Sequence, residues 1–276
     1  MYRVALCAAC TSGPNSSTAN MKISIITAVY NAIDTIEDTI LSVANQTYPD
    51  VEHIIVDGAS TDGTLGVVDK YRPRIAKFVS EPDRGVYDGM NKGLRMASGD
   101  VIGFLNADDV YAHKDVLRRV AGVMSNPHVD ACYADLVYVD KNDPRRVVRY
   151  WKSQQYKEGL FLKGWMPAHP TFFARRAVYE RFGGFDLSYP RQSDFELTMR
   201  FLHVNKINAV YVPEIFVRMR TGGISNSSWR GVLKGNFEAY RACKKHIPGM
   251  SPLFMIRKIL SRFPQFFTKP SETRNG

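Results

Sequence analysis

From Met21 onward the apolar positions fall into short β-branched runs that alternate with segments of helical period. Ile23-Ser24-Ile25-Ile26 reads as a buried strand, since a sheet covered on both faces does not need polar alternation. Ile33, Ile36, Ile40 and Val43-Ala44 then recur at helical spacing, with Asp34 and Glu37 in capping-box positions. His53-Ile54-Ile55-Val56 and Ala76-Lys77-Phe78-Val79 predict two more strands, Met90–Met96 a helix, and Val101–Leu105 a fourth strand. This alternation predicts an α/β fold: a doubly wound, mostly parallel sheet with helices on both faces. Past residue 110 the pattern changes. Val116, Leu117, Val120, Ala121 and Met124 mark one amphipathic helix. Ala131–Asp140 and Arg146–Trp151 read as strands joined across Lys141-Asn142-Asp143-Pro144, and residues 165–225 mix short helices and strands.

Composition changes this picture little. Apolar residues make up 45% and charged residues 23% of 276, the balance of a globular chain. No uncharged apolar run reaches the ~18 residues of a membrane-spanning helix. Four scattered cysteines, Cys7, Cys10, Cys132 and Cys243, fit a reducing compartment better than a disulfide scaffold. Charge matters more. Residues 241–276 hold eight basic residues against one acid, Glu272, and so carry most of the net +10. Leu253, Ile256, Leu260, Phe263 and Phe267 fall near one helical face there, with Arg257, Lys258 and Arg262 off it and Pro264 ending or kinking the helix. A helix of this kind lies in a membrane interface, so residues 250–269 are expected to meet an anionic membrane surface; the alternative is that the apolar face packs on the main domain. Residues 1–20 read as a disordered leader upstream of a start at Met21, and the lone Cys7–Cys10 pair is too weak a signal for a metal site. The expected organisation is a leader (1–20), one domain (21–240) and a basic amphipathic tail (241–276).

All four strands of the first half end on polar clusters: Thr27–Asn31, Asp57–Asp62, Glu81–Arg84 and Asn106–Asp109. Parallel sheets bind ligands at the carboxyl ends of their strands, so this rim is the expected site. Adjacent carboxylates at Asp108 and Asp109 are costly after a buried strand unless a cation neutralises them. A divalent ion completed by substrate phosphates is one solution; a turn or helix N-cap is the other. Asp57 on the same rim favours the ion. Val56–Thr64, with two glycines and several hydroxyls, makes a tight turn into a helix and leaves Asp57 able to accept from a base or ribose.

Ile26–Asn31, Asp57–Thr64 and Asn106–Asp109, in this order and spacing, resemble the inverting nucleotide-sugar glycosyltransferases of family 2, which have the GT-A fold. Glu81–Gly93 is similar to a subset of that family, and the resemblance spans residues 21–225. It implies that Thr27, Tyr30 and Asp57 face the nucleoside, and that Asp83 and Arg84 lie near the base and phosphates. It places Asp108 on the ribose side and gives Asp109 a Mn²⁺ or Mg²⁺ on the diphosphate. Ser193–Arg200 resembles the catalytic segment, where an acidic pair is usual. Ser193 replaces the first acid, Asp194 falls on the general base, and Glu196 on the second acidic position. The stretch containing His169 resembles one that lines the acceptor side, which Glu196 could share. Arg220–Ser225 resembles a loop that closes over the donor.

The partners implied are a nucleotide-sugar donor, most often a UDP-sugar, and a saccharide or lipid-linked acceptor in bacterial surface polysaccharide or glycolipid assembly. The implied setting is cytoplasmic and peripheral on the inner face of the plasma membrane. Without spanning helices or a Gln-x-x-Arg-Trp segment, a single, non-processive transfer is expected. A sugar nucleotidyltransferase would need a Gly-rich basic loop after the first strand, where this chain has Thr27-Ala28-Val29-Tyr30-Asn31. A non-catalytic membrane or nucleic-acid binder has no use for carboxylates on one rim, and these would repel nucleic-acid phosphates. No nucleic-acid partner is therefore expected.

Overall fold

The computed structural model describes residues 21–141, 143, 145–222, 229–247 and 249–260. The expected leader with Cys7 and Cys10, the Gly223–Ser225 part of the donor loop, and Arg262, Phe263, Pro264 and Phe267 lie outside these residues.

The first half alternates as its pattern predicts: β1 (Ile23–Val29), α1 (Ile36–Ala44), β2 (Val51–Asp57), α2 (Thr64–Lys70), β3 (Lys77–Ser80), α3 (Val86–Met96) and β4 (Val101–Phe104). These four strands run parallel in the order β3-β2-β1-β4. Every β1 residue is buried because helices cover both faces. Ile26, Ala28, Ile54 and Val56 share a core with Met90 of α3, while Val29 and Ile55 pack with Ile36, Ile40 and Val68 of α1 and α2. Gly93 is what lets α3 approach closely, since a Cβ there would lie 2.3 Å from Ile26 Cγ2.

The second half completes the sheet: β5 (Asp109–Tyr111), α4 (Val116–Met124), β6 (Ala131–Val139), β7 (Val147–Trp151), β8 (Phe173–Arg175), α5 (Arg176–Phe182), α6 (Ser193–Met199), β9 (Ala209–Arg220), α7 (Trp229–His246) and α8 (Leu253–Leu260). Strand β8 enters antiparallel between β4 and β6, and β9 runs parallel to β6 and antiparallel to β5. The nine described strands form one sheet.

Two expectations are corrected. Asp34 and Glu37 form no capping box. Thr35 occupies the N-cap of α1 without a side-chain bond, and Glu37 instead takes Lys70 and Tyr71 of α2's end. Nor does a boundary fall at residue 240, because α7 runs unbroken through it. Ala239, Ala242 and Cys243 of α7 and Phe254 of α8 are buried in the same core as Phe195 and Leu197 of α6. The start of the expected tail is therefore part of the domain.

Candidate active site

The rim is built by register. Val29 pairs with Asp57 and Asp57 with Ser80, which brings the ends of β1, β2 and β3 level. The loops beyond are tied to one another. Asn31 N–H donates to Ser60 Oγ at 2.8 Å, Thr61 N–H to Asn31 Oδ1 at 2.9 Å, and Ala32 N–H to Thr64 Oγ1 at 2.9 Å. Asn31 and Ala59 hold the left-handed backbone these turns need.

Asp57 is fully buried and works inside this scaffold. Ser60 Oγ donates to its Oδ1, while Ser60 N–H (3.0 Å) and Ser80 Oγ (2.7 Å) donate to its Oδ2. Thr27 is also buried, with Oγ1 3.1 Å from His53 Nε2. Tyr30 is exposed at the start of the first loop. Asp83 accepts from Gly85 N–H at 2.8 Å and hangs over a glycine floor. A Cβ on Gly58 would lie 2.7 Å from Asp83 Oδ2, and one on Gly89 would lie 3.2 Å from it and 3.0 Å from Ala28 Cβ. Arg84 is exposed, with long 3.4 Å contacts to Asp88.

The carboxylate pair beyond β4 splits by depth. Asp109 is fully buried. Asn106 Nδ2 donates to its Oδ2 at 2.8 Å, and among the described residues its Oδ1 has no partner. Burial and the neighbouring Asp108 push its carboxyl well above the usual range, against weaker pulls from Asn106 and Arg220. Asp108 is only half-buried, and burial raises it too. Arg220, at the end of β9, donates from Nη1 to the Asp108 carbonyl at 3.1 Å and pairs with Asp38. A buried carboxylate oxygen without a donor, beside a second acid, is a donor set suited to a hard cation. Among the described residues no third His, Cys, Asp or Glu joins them, so substrate oxygens would complete the shell.

Asp194 lies in the first turn of α6. Its Oδ1 accepts from Tyr87 Oη and its own helix's Phe195 N–H, at 2.9 and 2.8 Å. Burial and the Asp194 charge push the Tyr87 phenol far above its ordinary value, which keeps it a donor. His169 packs on Phe104, the last residue of β4, and on Phe185, which also stacks on Tyr87. Its Nε2 is buried and has no partner among the described residues. Burial lowers its pKa, and the Asp194 charge draws it partly back.

Glu196 points elsewhere. It is fully buried, bonded to Arg200 Nε at 3.1 and 3.2 Å, to Arg200 Nη2 at 3.1 Å, and to His246 Nε2 at 2.9 Å. Burial pushes this carboxyl up, but His246 and Arg200 together hold it below its ordinary value. Arg200 also donates to the carbonyls of Phe182, Gly183 and Gly184. Glu196 therefore ties α7 and the 182–184 turn to α6.

The structure thus gathers Tyr30, Asp83, Arg84, Asp108 and Asp109 at strand ends, and sets Asp194 and His169 together beside β4. It places Thr27, Asp57 and Glu196 beneath or behind these. Sequence reasoning did not single out Tyr87 or assign Arg220 a charge partner. Tyr87 lies inside the quoted Glu81–Gly93 run, but nothing local marks it as a partner of a residue more than a hundred positions away.

The profile described as Glycosyl transferase family 2 matches residues 24–183. A PGL/p-HBAD biosynthesis glycosyltransferase of Mycobacterium bovis is 29% identical over 208 residues, covering 74% of this chain and 79% of that protein. Staphylococcus aureus TarS 1–349 in complex with UDP superposes with a TM-score of 0.61 at 19% identity, covering 91% of this chain and 73% of that one. The chain spans 44% of the longer TarS structure. Mannosyltransferase PcManGT from Pyrobaculum calidifontis, in complex with GDP-Man and Mn²⁺, gives 0.61 at 21% identity, covering 88% of this chain and 69% of that one. At these identities the two structures show a shared fold.

Proposed function

The chain belongs to glycosyl transferase family 2 and is a glycosyltransferase; we propose that it moves a sugar, with inversion, from a nucleoside-diphosphate sugar to a hydroxyl of a saccharide or lipid-linked acceptor in bacterial surface polysaccharide or glycolipid assembly. The observation that carries this reading is the Asp194 carboxylate, fixed by Tyr87 and lying beside His169 at the end of β4. Both donors to Asp194 fall on Oδ1, which orients Oδ2 for a third partner, the acceptor hydroxyl.

Asp194 takes that hydroxyl's proton as its oxygen attacks the anomeric carbon. The bond from that carbon to the diphosphate oxygen breaks in the same displacement, and the nucleoside diphosphate leaves with the electron pair. Neutral His169, with its free Nε2, meets the acceptor. On the donor side Tyr30 offers an exposed ring to the base, and Asp83 and Arg84 flank the base and phosphates. Asp57 acts from below by holding the loops, Thr27 by pairing β1 with His53 of β2, and Glu196 acts from behind by holding α6. Asp108 from its accessible side and Asp109 through Oδ1 would hold a Mn²⁺ or Mg²⁺, which when bound neutralises the departing diphosphate. That proteins of the same fold bind UDP (TarS) and GDP-Man with Mn²⁺ (PcManGT) supports a nucleotide sugar and an ion as ligands.

Asp194→Asn tests the assignment. Nucleoside diphosphate release from a panel of nucleotide sugars with saccharide and glycolipid acceptors should fall by about 10²–10⁴-fold, the usual worth of a general base. Nucleotide binding should be unchanged. Wild-type turnover in that variant overturns Asp194 as the base.

A further inference from the structure

Helix α8 is assembled inside out. Its buried side is Phe254 and Lys258, one turn apart, with Lys258 0% exposed. Lys258 Nζ donates to Gln192 Oε1 at the N-cap of α6 and lies 4.3 Å from the Phe195 ring centroid. The opposite side carries Leu253, Ile256 and Leu260, at spacings of three and four, exposed by 55%, 56% and 58%, with Ile259 beside them. A helix packed only to complete this domain would turn its leucines inward and its lysine outward. The preceding helix repeats the feature: α7 exposes Leu233 and Phe237 one turn apart, continued along the same face by Arg241 and Lys244.

We propose that the outward faces of α7 and α8 form a docking surface for an anionic lipid bilayer. Charge selects this occupant. Exposed Lys234, Arg241, Lys244 and Arg257 border the apolar residues. Past Leu260 the sequence adds Arg262, Lys269 and Arg274 among Phe263, Phe266 and Phe267, against a single acid, Glu272. Aromatic and aliphatic side chains inserted among basic ones match an interface of acyl chains beneath acidic headgroups. A second copy docking face to face would set two basic surfaces against each other, which is unfavourable in a two-fold contact. Lys258, on the buried side of α8, bonds to the N-cap residue of the helix bearing Asp194, so the docking helix is anchored to that helix.

Sedimentation of the full chain with vesicles tests this. Wild type should sediment with phosphatidylglycerol vesicles, stay in solution with pure phosphatidylcholine, and release as salt rises. The exposed triple variant Leu253→Glu, Ile256→Glu, Leu260→Glu should keep the wild-type Tm and lose vesicle binding at least tenfold. The proposal is overturned by wild type left in solution with phosphatidylglycerol, by equal sedimentation on both lipids, or by a folded triple variant that binds like wild type. Conversion of an oligomer to monomer by the triple variant would assign the face to a second copy and also overturn it. A nucleotide-induced Tm shift on the same samples separates this surface from the transferase reading, since a chain that binds nucleotide but no vesicle contradicts only the former.

Discussion

Side chains of one chemical type divide here by where their partners lie. Asp57, Asp109, Asp194 and Glu196 are all acids, and their motifs mark them equally. Depth and donors separate them: three donors enclose Asp57, Arg200 and His246 enclose Glu196, and Asp109 keeps a bare oxygen. No linear spacing encodes such distinctions, because Tyr87, His246 and Arg220 arrive from distant segments. That is why the residue types of the site were legible in the sequence and their separate duties were not. A structural acid at the opposite end of β2 gives a direct check. Burial pushes Glu52 up, but Lys77, Ser24 and Ser98 outweigh it and hold its pKa at about 2. A depressed carboxylate stabilises the fold above its unfolded value of 4.5 and loses that contribution as pH falls toward 2. Buried His53, lowered to about 4, adds a loss that begins as pH drops below 6.5, where the unfolded chain gains the proton first. Stability should therefore decline from about pH 6.5 downward. Glu52→Gln should cost about 3 kcal/mol at pH 7, with the gap to wild type closing between pH 4.5 and 2. Denaturant titrations across that range would show it, and a pH-independent gap would contradict it.

At the scale of elements, the β-branched runs located β1 to β4 to within a few residues, since strands buried on both faces carry a continuous apolar signal. Helix α4 and strands β6 and β7 were legible for similar reasons. Capping and docking were not. Glu37 found a cross-helix partner in place of a local cap, and α8 presents the side its periodicity marks as apolar to solvent. Tertiary contact decided both. Gly164 is where α8 packs closest against the 161–164 turn. Its φ of +80° and the 2.4 Å that would separate an added Cβ from Lys258 Cα leave no room for a side chain. Gly164→Ala should lower stability by about 1–3 kcal/mol through overpacking and backbone strain. Hydrogen exchange should place the loss in Leu253–Leu260, with β1 and β2 still protected. Unchanged exchange in α8 would show that the helix does not depend on this contact.

For the whole molecule, the parallel half supplies a rim and the mixed half supplies Asp194, His169 and the outward helices. The first half was readable because each βα unit is local. The insertion of β8 between β4 and β6 was not, since antiparallel entry depends on pairing between residues some seventy positions apart. On the proposed reading, a donor over β1 to β4 would face Asp194 on α6. Thermal melting with UDP, GDP and dTDP, each with and without Mn²⁺, tests that arrangement most directly, on wild type and on Asp108→Asn. At about 100 times its Kd a nucleotide should add ~2.7 kcal/mol, a rise of roughly 5–10 °C for a chain of this size. One nucleotide class should give that rise with Mn²⁺ and little without it, and Asp108→Asn should abolish the difference. A folded wild-type chain whose Tm no nucleotide moves, with or without the ion, would contradict the account.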